Sequence, residues 1–188
     1  MYYGLVYFPK TETENINKIR QKYDPTYYII EPHLTIMFPV PSSIGKRRII
    51  KHIGNVLRNK RPIALQFGGY RKSWDHWLLL TVQKGNSKIK KLSGEIYSGI
   101  LSKYRREDIK FIPHIGLGLF VKNFKQYELQ NPKKLKFDKE KYREALSEAE
   151  SKISKFKCTI DILDLVKLNN NLIAIETIKK FELKQEDI

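Results

Sequence analysis

Two histidines, His33 and His114, stand 81 residues apart in matching surroundings. Each follows a proline and leads into a short apolar run: Pro32-His33-Leu34-Thr35-Ile36 and Pro113-His114-Ile115-Gly116-Leu117. Extended to nine residues, the two stretches agree at the proline, the histidine and a closing valine, Val40 or Val121. Imidazole is the side chain that ordinarily changes charge near neutral pH. Two imidazoles facing one phosphodiester make an acid/base pair. The neutral ring takes a proton from water or a ribose hydroxyl, and the protonated ring gives one to the departing oxygen; each role typically contributes roughly 10²–10⁴-fold.

The period of a strand assigns the neighbours to faces. His33, Thr35 and Met37 fall on one face, and Leu34, Ile36 and Phe38 on the other. In the second copy His114, Gly116 and Gly118 share a face, and Ile115, Leu117 and Leu119 oppose them. The aliphatic sets suit packing under helices, which leaves the histidine faces to line a groove. Thr35 can donate its hydroxyl to a phosphate oxygen beside His33. Gly116 can offer only backbone N–H, while the two glycines leave room for a ligand.

Arg71, Lys72 and Trp74 lie in one polar link, Gly68 to Asp75. They are candidates for phosphate contact and for base stacking on an aromatic ring; an exposed hairpin with a tryptophan shielding the core edge is an equal alternative. Tyr3 and Tyr7 on the first strand are expected in the core. His52, among lysines and arginines, reads as a solvated helix residue, and His76 as a structural residue at a loop end. No HxH or HExxH spacing and no acidic cluster accompanies the four histidines, so no metal and no cofactor is expected. A Walker-type phosphate loop is missing. Cys158 is the only cysteine, which excludes an intramolecular disulfide.

The elements that must carry these residues follow from periodicity and breakers. Strands are expected at Tyr2 to Phe8, through His33 to about Phe38 where Pro39-Val40-Pro41 breaks it, at Ile63 to Phe67, His76 to Val82 and Phe111 to Val121. Two more are expected near Phe156 to Leu168 and Leu172 to Leu183, joined by the turn Asn169-Asn170-Asn171. Helices are expected from Glu14 to Tyr23 with Thr13 as cap, after Ser42 or Ser43, from Lys88 to Tyr104, and from Asp138 to Lys152. The lysine-rich link Lys122 to Phe137 is the candidate insertion or substrate-facing loop. Hairpins mixed with helices favour an α+β fold over a parallel doubly wound one. The repeat predicts a bilobal, pseudo-symmetric duplication: two antiparallel or mixed sheets, helices on their outer faces, and a central cleft. One domain spans residues 1–188.

The 188 residues include 36 Lys+Arg and 20 Asp+Glu, a formal charge of +16. Such a field draws polyanions, nucleic acid foremost, although a lysine-rich composition alone would produce it too. The basic runs Lys46-Arg47-Arg48, Lys103-Tyr104-Arg105-Arg106 and Lys133-Lys134 read more simply as solvated faces than as an RNA track. No apolar run approaches the roughly 18 residues of a membrane helix, and no leader pattern opens the chain. The expectation is a cytoplasmic monomer with no membrane partner.

On its paired motifs, His33-Leu34-Thr35-Ile36 and His114-Ile115-Gly116-Leu117, and on its order of elements, the chain resembles the two-histidine phosphoesterase superfamily. This is the group of 2′-5′ RNA ligase-like cyclic phosphodiesterases, marked by a pair of His-x-Thr/Ser-x motifs. The resemblance implies metal-free hydrolysis of an RNA 2′,3′-cyclic phosphate, or of a 2′-5′-linked or cyclic nucleotide. It makes His33 and His114 the acid/base pair and Thr35 a phosphate ligand. The chain departs from the pattern at Gly116, where a second hydroxyl is due, and at Leu119, where many members carry a basic residue. A non-catalytic RNA- or nucleotide-binding module on the same scaffold is the alternative.

Overall fold

The computed structural model describes residues 1–122 and 135–184. In chain order its elements are β1 (Tyr2–Tyr7), α1 (Thr13–Tyr23), β2 (Leu34–Pro41), α2 (Lys46–Leu57), β3 (Ile63–Lys72), β4 (Trp77–Lys84), α3 (Asn86–Ile96), β5 (His114–Leu119), α4 (Lys139–Lys152), β6 (Phe156–Ile160), β7 (Ile162–Leu168) and β8 (Ala174–Glu182). The helices form where apolar residues recur at helical spacing. Thus α2 buries Ile49, Ile53 and Leu57, and α3 buries Ile89, Leu92 and Ile96. Helix α4 buries only Ala145 and Ala149, whose small side chains admit close approach. Its start is fixed by Asp138, whose carboxylate accepts from the Lys141 backbone N–H.

The strands form a sheet in the order β6-β3-β4-β5-β2-β1-β7-β8, with every pairing antiparallel. It divides into two four-stranded halves that meet at β5 and β2 through a single paired position, Leu34 opposite Ile115. The two expected sheets are therefore halves of one sheet. The unit β1-α1-β2 corresponds to β4-α3-β5, and an approximate two-fold between them exchanges the histidine strands.

The duplication extends to irregularities. Opposite Leu5-Val6 of β1, strand β2 uses Met37 and Thr35, so Ile36 is an extra residue. Opposite Leu78-Leu79 of β4, strand β5 uses Gly118 and Gly116, so Leu117 is extra. Each bulge falls three residues after its histidine. A bulge reverses which face later side chains take, and this corrects the simple alternation. Gly118 does not share the histidine face: a Cβ there would lie 2.5 Å from Tyr23 Cβ, beneath α1.

Other expectations also change. The strand expected from Phe156 to Leu168 is two strands separated at Asp161, and they join different edges: β6 pairs with β3, whereas β7 pairs with β1 and β8. A sheet that accepts consecutive strands on its two sides must curl strongly. Strand β2 runs through Pro39 to Pro41 rather than breaking there, because Pro39 falls in the register shift between Met37 and Val40 and Pro41 is the last residue. Gly45, at φ 91°, precedes α2 in place of Ser42 or Ser43, which lie in a short 3₁₀ turn, Ser42–Ile44. Thr13 is the first residue of α1, and the cap position is Glu12, at φ 58°. The helix expected to reach Tyr104 ends at Ile96 and is followed by a 3₁₀ stretch, Gly99–Tyr104. Most of the candidate substrate-facing link, residues 123–134 with Lys133-Lys134, lies outside the described residues.

Candidate functional site

Strand β2 begins immediately after His33, and strand β5 begins at His114. The approximate two-fold through Leu34 and Ile115 therefore brings the two histidines to one seam. Both line a cleft of about 600 Å³ together with Thr35, Gly116, Arg71, Lys72, Trp74 and Trp77. A cleft of this size matches a nucleotide-sized ligand. A neighbouring, more open groove of about 700 Å³, lined by Lys10, Asp161 and Lys180 among others, contains neither histidine.

The imidazoles are held alike. His33 Nδ1 lies 2.9 Å from the carbonyl oxygen of Glu31, and His114 Nδ1 lies 2.5 Å from that of Ile112. A carbonyl can only accept, so Nδ1 carries the hydrogen in both rings. Nε2 is then the basic nitrogen of each neutral ring and the transferable N–H of each cation. Two residues back along the chain, the same backbone bond is made twice.

Both rings are enclosed by protein while keeping partial access to the cleft. Burial is the main cause that pushes His33 down to about 4, against its bond to Glu31, with Arg20 and His114 adding to the fall and Asp24 opposing it. Burial also pushes His114 below its ordinary value, opposed by the bond to Ile112 and by Asp75.

Continuing the antiparallel register one step on either side of Leu34–Ile115 sets Thr35 across from His114 and Gly116 across from His33. Directly opposed side chains in such a pair are closer than residues two apart on one strand. Thr35 therefore lies on the His114 side, and the position without a hydroxyl is across from His33. An indole borders that place: a Cβ on Gly116 would touch Trp77 Cε3 and Cζ3 at the ordinary contact distances of 3.4 and 3.5 Å.

Arg71, Lys72 and Trp74 do reach the cleft, but Gly68 to Lys72 of the expected link are the end of strand β3, paired with β4, rather than a loop. Trp74 is 56% exposed at its edge. Lys72 Nζ donates to the Ser73 carbonyl at 3.1 Å and lies 4.9 Å from the Phe137 ring centroid. The link turns because the Ser73 hydroxyl donates to Asp75 and accepts from the Trp77 N–H. His76, at φ 72°, stacks on Phe137 and stays out of the lining. His52 is half-buried rather than solvated, with Nε2 2.9 Å from the Ile96 carbonyl. Tyr3 and Tyr7 are in the core.

Sequence reasoning missed Arg20 on α1 and Asp24, the residue that caps its C-terminus, a buried ion pair that also lines the cleft. Their i, i+4 spacing was visible, but nothing local showed that both would be buried beside His33. Among the described residues, no group of three or more His, Cys, Asp or Glu side chains is placed to hold a metal ion, and no helix is long and apolar enough to cross a membrane.

The family described as the 2′-5′ RNA ligase superfamily matches residues 8–171. A Bacillus licheniformis protein named as a candidate phosphoesterase is 26% identical over 118 residues, covering 61% of this chain and 69% of the relative. Among solved structures, E. coli LigT in apo form superposes with a TM-score of 0.57 at 14% identity, covering 98% of this chain and 96% of LigT. LigT structures complexed with phosphate and with 3′-AMP match at TM-scores of 0.55 and 0.56. TT0787 of Thermus thermophilus matches with a TM-score of 0.59 at 14% identity, covering 97% of this chain and 98% of that one.

Proposed function

This chain belongs to the 2′-5′ RNA ligase superfamily of two-histidine phosphoesterases, and we propose that it hydrolyses a phosphodiester of RNA or of a small nucleotide with His33 and His114 as acid and base. The observation that carries the reading is the pair of imidazoles lining one cleft, each with Nδ1–H bound to the carbonyl two residues back. That bond leaves two equivalent Nε2 atoms free for proton transfer.

The substrate class is an RNA end with a 2′,3′-cyclic phosphate, or a 2′-5′-linked or cyclic nucleotide. Water attacks phosphorus and loses a proton to a neutral Nε2. The bond from phosphorus to the ribose oxygen breaks, and that oxygen takes a proton from the protonated Nε2 of the other ring. Thr35 and the backbone N–H near Gly116 bind the non-bridging oxygens. Arg71 and Lys72 add positive charge, and Trp74 offers a ring for stacking a base. The crystal complexes of LigT with phosphate and 3′-AMP are in keeping with a nucleotide-binding cleft in this fold. No step requires a metal, so turnover is expected to survive chelation.

The test is turnover of 2′,3′-cyclic nucleotides and cyclic-phosphate RNA ends in EDTA. Equal rates with and without chelator support the proposal, and loss on chelation overturns the metal-free step. The indole beside Gly116 favours one other reading, a module that binds RNA or nucleotide without cutting it. Salt-dependent binding with no turnover of any of these substrates would establish that reading instead.

A further inference from the structure

Arg20 is 2% exposed, yet it lines the cleft beside His33. Its Nε donates to Asp24 Oδ2 at 2.7 Å, and its Nη2 donates to the Ile30 carbonyl at 2.7 Å. Among the described residues Nη1 is buried and unpartnered. The other oxygen of Asp24 accepts from the backbone N–H and the hydroxyl of Thr26 at 2.7 and 2.6 Å. One guanidinium therefore ties the end of α1 to the turn that leads into β2.

The next carbonyl along that turn, Glu31, is the one that holds His33 Nδ1. Arg20 and the His33 ring thus grip adjacent peptide units. In the other half of the site the residue before His114 is held by the neighbouring strand, the Pro113 carbonyl accepting from the Val82 backbone N–H at 3.1 Å. Stability alone gives little reason for the Arg20–Asp24 pair, because a buried pair is often replaceable by packed apolar side chains at no loss. A planar fork that spans a carboxylate and a carbonyl together does give a reason, since lysine cannot reproduce it.

We propose that Arg20 is a positioning residue for His33, pinning the Ile30 carbonyl so that the His33 ring keeps its plane and its reach into the cleft. Its effect on rate rests on the phosphodiesterase reading above; its effect on the ring does not. The charged groups felt at His33 are Arg20 from α1, Asp24 just after it, and His114 from β5.

Two variants test this. Arg20→Lys keeps the charge and loses the two-point grip. Arg20→Met combined with Asp24→Leu removes both charges and leaves no buried ion unpaired. A small displacement of a reacting group can cost about 100-fold, so kcat on a 2′,3′-cyclic nucleotide is expected to fall about 10- to 100-fold with KM within about twofold. In NMR of the ligand-free proteins, the His33 ring resonances move in both variants while those of His114 stay. A folded variant whose His33 ring resonances equal the parent's overturns the proposal. Failure of both variants to fold overturns it in favour of a purely structural role. If the parent turns over no phosphodiester, the functional reading fails, and the NMR arm still decides the role of Arg20.

Discussion

Leu34 on β2 and Ile115 on β5 are paired across the seam of the sheet, and each is the residue immediately after a histidine. Both are fully buried. Because the pair is antiparallel and close to the approximate two-fold, it presents the two preceding imidazoles to the opposite side of the sheet. An apolar contact thus sets the geometry of a polar site.

Replacing either histidine by alanine is expected to leave the fold intact and lower kcat by roughly 10²–10⁴-fold, the typical contribution of one acid or base. Steady-state rates on cyclic-phosphate substrates, with circular dichroism as the control, check this. Normal rates in both variants would remove the histidines from the chemistry.

The pH profile follows from the depressed imidazoles. His33 falls from 6.5 to about 4, with burial the largest cause. It stays neutral, and so able to act as base, until pH drops towards 4. His114 also lies below its ordinary value, so its protonated fraction is lost below neutrality as pH rises. The optimum of kcat/KM is therefore expected on the acid side of pH 6.5. Stability moves with the same groups. The unfolded chain takes up a proton at His33 near pH 6.5 and the folded chain does so only near pH 4, so this contribution, full above pH 6.5, is lost as pH falls through that window. Thermal unfolding of the parent and of His33→Phe between pH 7 and 4 measures it, with a flatter slope expected for the variant.

Two glycines on one strand should behave differently. A Cβ at Gly118 would lie 2.5 Å from Tyr23 Cβ and 2.9 Å from the Tyr23 carbonyl oxygen, so backbone must move. Gly118→Ala is expected to destabilise by about 1–3 kcal/mol. At Gly116 the nearest atoms are at an ordinary contact distance of 3.4 Å, so Gly116→Ala should cost less. Denaturant unfolding compares the two; the reverse order would contradict the bulge at Leu117.

Trp74 is exposed enough that its loss should not disturb the core. If a base stacks on it, Trp74→Ala is expected to raise KM by roughly 5- to 150-fold, the equivalent of about 1–3 kcal/mol of stacking. The melting temperature should stay within a degree or two of the parent by the same argument. An unchanged KM for every nucleotide substrate would assign the ring to the solvent.

The sequence by itself determined the family, the α+β class and the paired motifs, because all three are written locally. Proline before histidine, aliphatic residues after it, and helical or strand periodicity need no knowledge of distant contacts. Arg71, Lys72 and Trp74 were also legible as candidates for the cleft, and the structure brings them to the one the histidines line, although Arg71 and Lys72 end strand β3 rather than lying in a loop.

Only the tertiary structure decided what depends on neighbours far away in the chain. The register of Leu34 with Ile115 sets Thr35 across from His114 and leaves the gap at Gly116 facing His33, where Trp77 borders it. The bulges at Ile36 and Leu117 turned later residues to the other face. The break at Asp161 sent two consecutive strands to different edges. The burial of Arg20 beside His33 has the same origin. Side-chain types fix what chemistry a residue can do; which partner it meets, and how dry the meeting place is, are properties of the packed sheet.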